Sequence, residues 1–157
     1  MAEGEFALVQ KYLELAINKT AAWVGEHDLY AMLADVAAQQ RDQASLQKYA
    51  PLAEEFASRY EHKLYQAVAH RAWGVAYRLT GQHAEAGLRL NQALEIFQHM
   101  GTRWQVGRTY VELGELAIAQ TNLSIAHDYL SRAIKLFDEI QAIPDLTRTQ
   151  SALQGLM

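Results

Sequence analysis

The 157-residue chain contains no cysteine, which excludes disulfide cross-links, thiolate metal ligands and a cysteine nucleophile. Proline is almost missing as well. Only Pro51 and Pro144 occur, so long helices can run with little interruption. Nor is there an excess of positive charge: Lys and Arg number 14 against 18 Asp and Glu, a formal net charge of −4. That balance argues against broad contact with phosphate backbones, and nucleic acid is not an expected partner. No apolar run approaches the roughly 18 residues of a membrane span. The N-terminus, Met1-Ala2-Glu3-Gly4-Glu5, is acidic where a secretory leader is basic. A reducing cytoplasm is the expected setting, with no membrane partner.

What the chain does have is an internal repeat. The segment from Trp73-Gly74-Val75-Ala76-Tyr77 to Ala93-Leu94-Glu95-Ile96-Phe97 recurs from Leu113-Gly114-Glu115-Leu116-Ala117 to Ala133-Ile134-Lys135-Leu136-Phe137. Gly74 and Gly114, Ala86 and Ala126, Leu90 and Leu130, Ala93 and Ala133, and Phe97 and Phe137 all lie 40 residues apart. The same step backwards lands on Leu33, Ala34, Ala37, Leu46, Ala50, Ala53 and Ala57, a more degenerate unit. One step further reaches Phe6, Leu13 and Ile17, the apolar stripe of a helix with no partner before it. Beyond the last unit, Leu146, Leu153 and Leu156 form a narrow stripe opposite Thr147, Arg148, Gln150, Ser151 and Gln154, as expected of a terminal capping helix.

Apolar periodicity and breakers place helices near 4–19, 24–40, 43–59, 62–80, 83–99, 103–120, 123–139 and 145–156. Asp42 is a candidate N-cap, Gly81 a helix end, Gly101-Thr102 a separator and Pro144 the opening of the last helix. The organisation is one all-α domain over 1–157: a half unit at 4–19, units at about 24–59, 62–99 and 103–139, and a capping helix at 145–156. Opening on a half unit is expected of a piece of a longer chain or of an unusual cap. Glycine inside a helix costs about 1 kcal/mol relative to alanine, so Gly74 and Gly114 imply close helix crossings, with Ala86 and Ala126 as their small partners.

These residues resemble the tetratricopeptide repeat family, whose signature sets an aromatic or Leu, then Gly, then Tyr, and later Ala, Leu or an aromatic, and Ala. The roles fall on His70, Trp73, Gly74, Tyr77, Ala86, Leu90 and Ala93, and again on Tyr110, Leu113, Gly114, Ala117, Ala126, Leu130 and Ala133. Two features depart from the family: the period is 40 where the usual repeat has about 34, and the proline between units is missing. The extended repeat is similar to those of bacterial signalling and regulatory proteins. The resemblance implies a right-handed solenoid of about eight antiparallel helices and a non-enzymatic protein-interaction role, regulatory or scaffolding, in a concave groove.

The first helix of each unit faces that groove in the family. The implied lining is Asp28, Ala31, Met32 and Asp35, then Val68, Arg71, Ala72, Val75, Arg78 and Leu79, then Arg108, Val111, Glu112, Glu115 and Ile118. Arg71, Val75, Arg78, Leu79, Arg108, Val111, Glu112 and Glu115 are its expected peptide-binding core. Two readings of the arginines stand open. They either pair with Asp35, Glu112 and Glu115 on neighbouring helices, or they seat an acidic or carboxylate-ended peptide. The Lys and Asn pattern with which chaperone-binding members hold a C-terminal carboxylate is absent.

No catalytic or cofactor-binding motif is present, so neither an enzyme nor a cofactor is expected. The six histidines form no metal-ligand spacing: His70 reads as a packed aromatic, and His62, His83, His99 and His127 fall at helix ends or on solvated faces. Paired carboxylates such as Glu54-Glu55 and Asp138-Glu139 are those of a solvated helix face. A rival function is an oligomerisation or spacer domain of a larger bacterial signalling or transcription regulator. It draws on the first helix, where Leu8, Tyr12 and Leu15 form a second stripe beside Phe6, Val9, Leu13 and Ile17, an edge for a homodimer or for a preceding segment.

Overall fold

A computed structural model of the chain describes residues 3–19 and 25–156. They form eight α-helices and, among the described residues, no strand: α1 Glu3–Lys19, α2 Glu26–Gln40, α3 Gln43–Arg59, α4 Lys63–Leu79, α5 His83–His99, α6 Arg103–Ala119, α7 Leu123–Glu139 and α8 Ile143–Gln154. Helices consecutive in sequence pack against one another, and α2, α4 and α6 also meet as a row. The result is an all-helical repeat solenoid. Its elements keep strict time, since α3 to α8 begin at 43, 63, 83, 103, 123 and 143.

The links explain the regularity. Positions 41, 61, 81, 101, 121 and 141 all adopt positive φ, between 52° and 77°. At each, the N–H groups of this residue and the next turn back onto the helix just ended. The Asp42 N–H donates to the Ala37 carbonyl (3.0 Å) and the Arg41 N–H to that of Ala38 (3.2 Å). The pattern recurs at every link as far as Ala142 N–H to Phe137 carbonyl, 2.8 Å. This is the Schellman ending, which satisfies two carbonyls that the helix leaves bare. Asp42 then caps α3 by accepting from the Ser45 N–H, His62 caps α4 and Asn122 caps α7. Pro144 lies in the first turn of α8, where its missing N–H is not needed. Pro51 lies inside α3 and does not end it.

Packing follows the repeat, and the leucines one turn beyond the expected alanines share in it. A Cβ added to Gly74 would stand 2.5 Å from Leu90 Cγ, and one added to Gly114 would stand 3.0 Å from Leu130. The leucine side chains thus fill the space the glycines leave, and the Ala86 and Ala126 backbones come close there as expected, their carbonyl oxygens 3.4 and 3.6 Å from the added Cβ. Gly107, which the sequence reading passed over, seats Phe137, whose Cε1 would lie 2.6 Å from an added Cβ. Ala53 joins a core cluster with Ala69 and Ala72 of α4, and Ala93 and Phe97 join one with Val106 of α6. Each unit thus shares its core with the next. The last helix spans Ile143–Gln154 rather than 145–156, and its one fully enclosed residue is Thr149. Position 24, where the second helix was expected to open, and the Ile17 side chain lie outside the described residues.

Candidate functional site

The row α2, α4, α6 carries a connected set of charges. On α2, Asp35 accepts from Arg71 of α4 (2.8 Å) and from both terminal nitrogens of Arg108 of α6 (2.9 and 3.1 Å). On α6, Glu112 accepts from Arg78 of α4 (3.2 Å) and from Arg41 of the α2–α3 link (2.8 Å). Arg78 also lies 3.7 Å from Glu115. Two of these pairs, Asp35–Arg108 and Arg41–Glu112, join α2 and its link to α6 across the intervening α4. Side chains of the outer helices can meet over the middle one only if the row curves, and this gives the stack its concave face.

Burial sets the electrostatics. Desolvation alone would raise the Asp35 carboxyl, but Arg108 and then Arg71 outweigh it and hold it down to about 2. Arg71 is only 1% exposed. Desolvation, followed by repulsion from Arg108, pushes its guanidinium down to about 10, so it stays charged at neutral pH. Arg71 also stacks on Phe97 and Arg108 on Trp104, at 5.1 and 4.8 Å from guanidinium carbon to ring centre. Among the described residues, two buried side-chain atoms, Arg78 Nε and Gln105 Oε1, have no hydrogen-bond partner.

A cavity of about 150 Å³ opens beside this network. Its walls are α6, through Arg108, Val111, Glu112 and Glu115, and α8, through Asp145, Arg148, Thr149 and Ala152. Gln39, Arg41 and Phe137 complete its lining. Trp104 donates its indole N–H to Asp145 (2.9 Å) and ties the two helices at the rim.

The residues expected to form a groove are therefore divided. Arg108, Val111, Glu112 and Glu115 share the cavity wall. Val75 is fully buried and Arg71 nearly so, hence both belong to the interior and not to a contact surface. Arg78 is enclosed against Glu112 and Glu115, and Leu79 is partly buried against the α2–α4 core. The pairing of Arg71, Arg78 and Arg108 with Asp35, Glu112 and Glu115 is realised in full. Arg41 and Arg148 were missed. Arg148 could have been found, because it stands 40 residues after Arg108, whereas nothing in the sequence marks a link residue that reaches another unit.

The expected edge also moves. Leu8, Tyr12 and Leu15 are exposed. In the repeat frame Leu8 matches Lys48, Leu88 and Asp128, and Leu15 matches Glu55, Glu95 and Lys135, all exposed. The stripe thus lies on the outer face that every second helix shows to solvent, not on the end of the stack. His70 is half-buried in a polar knot, not simply packed: Arg89 reaches its Nδ1 (2.8 Å) and pairs with Glu54 (2.5 Å), which accepts the Trp73 indole N–H (2.9 Å). Burial, and then Arg89, lowers the His70 pKa. Among the described residues no cluster of three or more His, Asp or Glu could hold a metal ion, and no helix is long and apolar enough to cross a membrane. A scan against protein-family models matches no family, and a search of curated proteins finds no match.

Proposed function

We propose that the chain is a non-enzymatic protein-interaction module of the tetratricopeptide type that holds a peptide or protein segment on its concave face, in a regulatory or scaffolding role. The observation that carries this reading is the open cavity between α6 and α8, whose walls mix apolar surface at Val111 and Ala152 with the charges of Arg41, Arg108, Glu112 and Glu115. Binding sites for flexible segments combine concavity, apolar contact and a few fixed polar groups in this way. The five ion pairs of the α2, α4, α6 row hold those groups in place before any partner arrives, which lowers the ordering cost of binding.

Displayed random decapeptides selected on the immobilised chain test the reading. Binders are expected, and they should shift the amide resonances of Val111, Glu115 and Ala152. Recovery of no binder, or of binders whose shifts map to the outer face of α1, overturns it. The second reading, self-association, is favoured by the apolar outer face of α1 at Leu8, Tyr12 and Leu15. Light scattering should then show a dimer that Leu8→Glu with Leu15→Glu converts to monomer, and a monomeric wild type removes this reading.

A further inference from the structure

The chain has nine arginines, at 41, 59, 71, 78, 89, 103, 108, 132 and 148. Eight of them form ion pairs with carboxylates of the chain. Arg148 is the exception: its guanidinium has no ionic or hydrogen-bonding partner among the described residues. It is exposed and stands on the cavity wall.

The repeat shows what is missing. Arg148 occupies in α8 the register that Arg108 occupies in α6, one period of 40 residues earlier. Arg108 grips Asp35 with both terminal nitrogens. The residue one period after Asp35 is Val75, which is buried and apolar. The carboxylate that Arg108 finds inside the chain has therefore no counterpart for Arg148. None of the acidic groups lining the cavity takes that place: Glu112 is held by Arg41 and Arg78, Glu115 faces Arg78, and Asp145, three residues before Arg148 on α8, bonds Trp104 and not Arg148.

We infer that Arg148 anchors a single aspartate or glutamate side chain of the bound segment, which completes from outside the arginine–carboxylate pair that the preceding unit makes from within. This rests on the peptide-binding reading above. The guanidinium fork suits a carboxylate in two-point contact, as the Arg108–Asp35 pair already shows. A side chain is favoured over a chain terminus because the cavity lies open between two helices with apolar surface at Val111 on one wall and Ala152 on the other, a setting for a side chain reaching in from a segment laid across it.

The test uses the selected decapeptides, synthesised with a fluorescent label and an amidated C-terminus, in anisotropy titrations against the full chain. Binders should carry an acidic residue. Changing it to its amide should weaken binding to wild type at least about tenfold. Arg148→Gln should weaken binding of the parent peptide as much, and the two changes together should cost no more than either alone. Arg132→Gln, which removes an exposed arginine paired with Asp128 on α7, should leave affinity unchanged. Binders that ignore Arg148→Gln, or that lose affinity only through amidation of the terminus, overturn the anchor while the peptide-binding reading stands. Failure to obtain any binder to the cavity sinks that reading itself.

Discussion

Asp35 sits where two guanidinium groups converge, and its loss cannot be neutral. Asp35→Asn keeps the shape but leaves Arg71 and Arg108 without their charge partner, one of them buried, and should cost about 3–5 kcal/mol at neutral pH. Because the folded carboxyl is held at about 2, below its ordinary value of 3.8, its contribution is complete above pH 4 and disappears as the pH falls towards 2. That contribution is about 2 kcal/mol. Urea melts of both proteins from pH 5 to 2.5 should show the gap between them narrowing on acidification, and a constant gap would contradict the pairing. The interior glycines give a graded series. Alanine gains about 1 kcal/mol of helix propensity over glycine, so the sign depends on what the new methyl meets. Gly87→Ala meets only Leu116 at 3.7 Å and should stabilise by about 1 kcal/mol. Gly114→Ala at 3.0 Å should be near neutral, and Gly74→Ala at 2.5 Å should destabilise by about 1–2 kcal/mol. Thermal melts of the three variants should keep that order. At this scale the sequence reading was sound for Asp35, whose pairing it held open, and blind to Arg41, whose reach depends on how the whole row bends.

Between helices the same turn is used six times, yet only Gly81 and Gly101 announce it in the sequence. Arg41, Glu61, Thr121 and Gln141 take the left-handed conformation with a side chain attached, against their local preference. The flanking helices impose it, which is why the 40-residue repeat is visible in apolar spacing while most of the turns between helices are not marked by their own residues. Thr121, branched at Cβ and at φ 59°, carries the largest local strain of the four. Thr121→Gly should therefore stabilise by about 0.5–1 kcal/mol, after the larger entropy of the unfolded glycine is subtracted. Gly81→Ala and Gly101→Ala, which meet no neighbour within 4 Å, should each destabilise by about 1 kcal/mol through backbone strain alone. Chemical denaturation of the three variants decides it, and a destabilised Thr121→Gly would mean that the Thr121 hydroxyl, bonded to the Gln120 carbonyl (2.7 Å), matters more than the strain.

A stack whose units touch only their neighbours comes apart piecemeal, each unit melting by its own stability plus one interface. This molecule has a tie that skips a helix: Asp35–Arg108 and Arg41–Glu112 bind α2 and its link to α6 over the top of α4. Unfolding of the wild type should accordingly be a single transition by circular dichroism and by hydrogen exchange. Asp35→Asn combined with Glu112→Gln should uncouple the two halves, so that α2 and α3 exchange their amides well before α6 and α7; simultaneous exchange in that variant would show that the backbone packing alone enforces cooperativity. The same tie sets the mechanics. Stretching the solenoid from its ends is resisted by helix interfaces on the outer side but by short ionic contacts on the inner one, and those give way over an ångström or two. The expected force curve is that of a coil with a latch, stiff until the inner pairs rupture and compliant beyond, with every helix still wound.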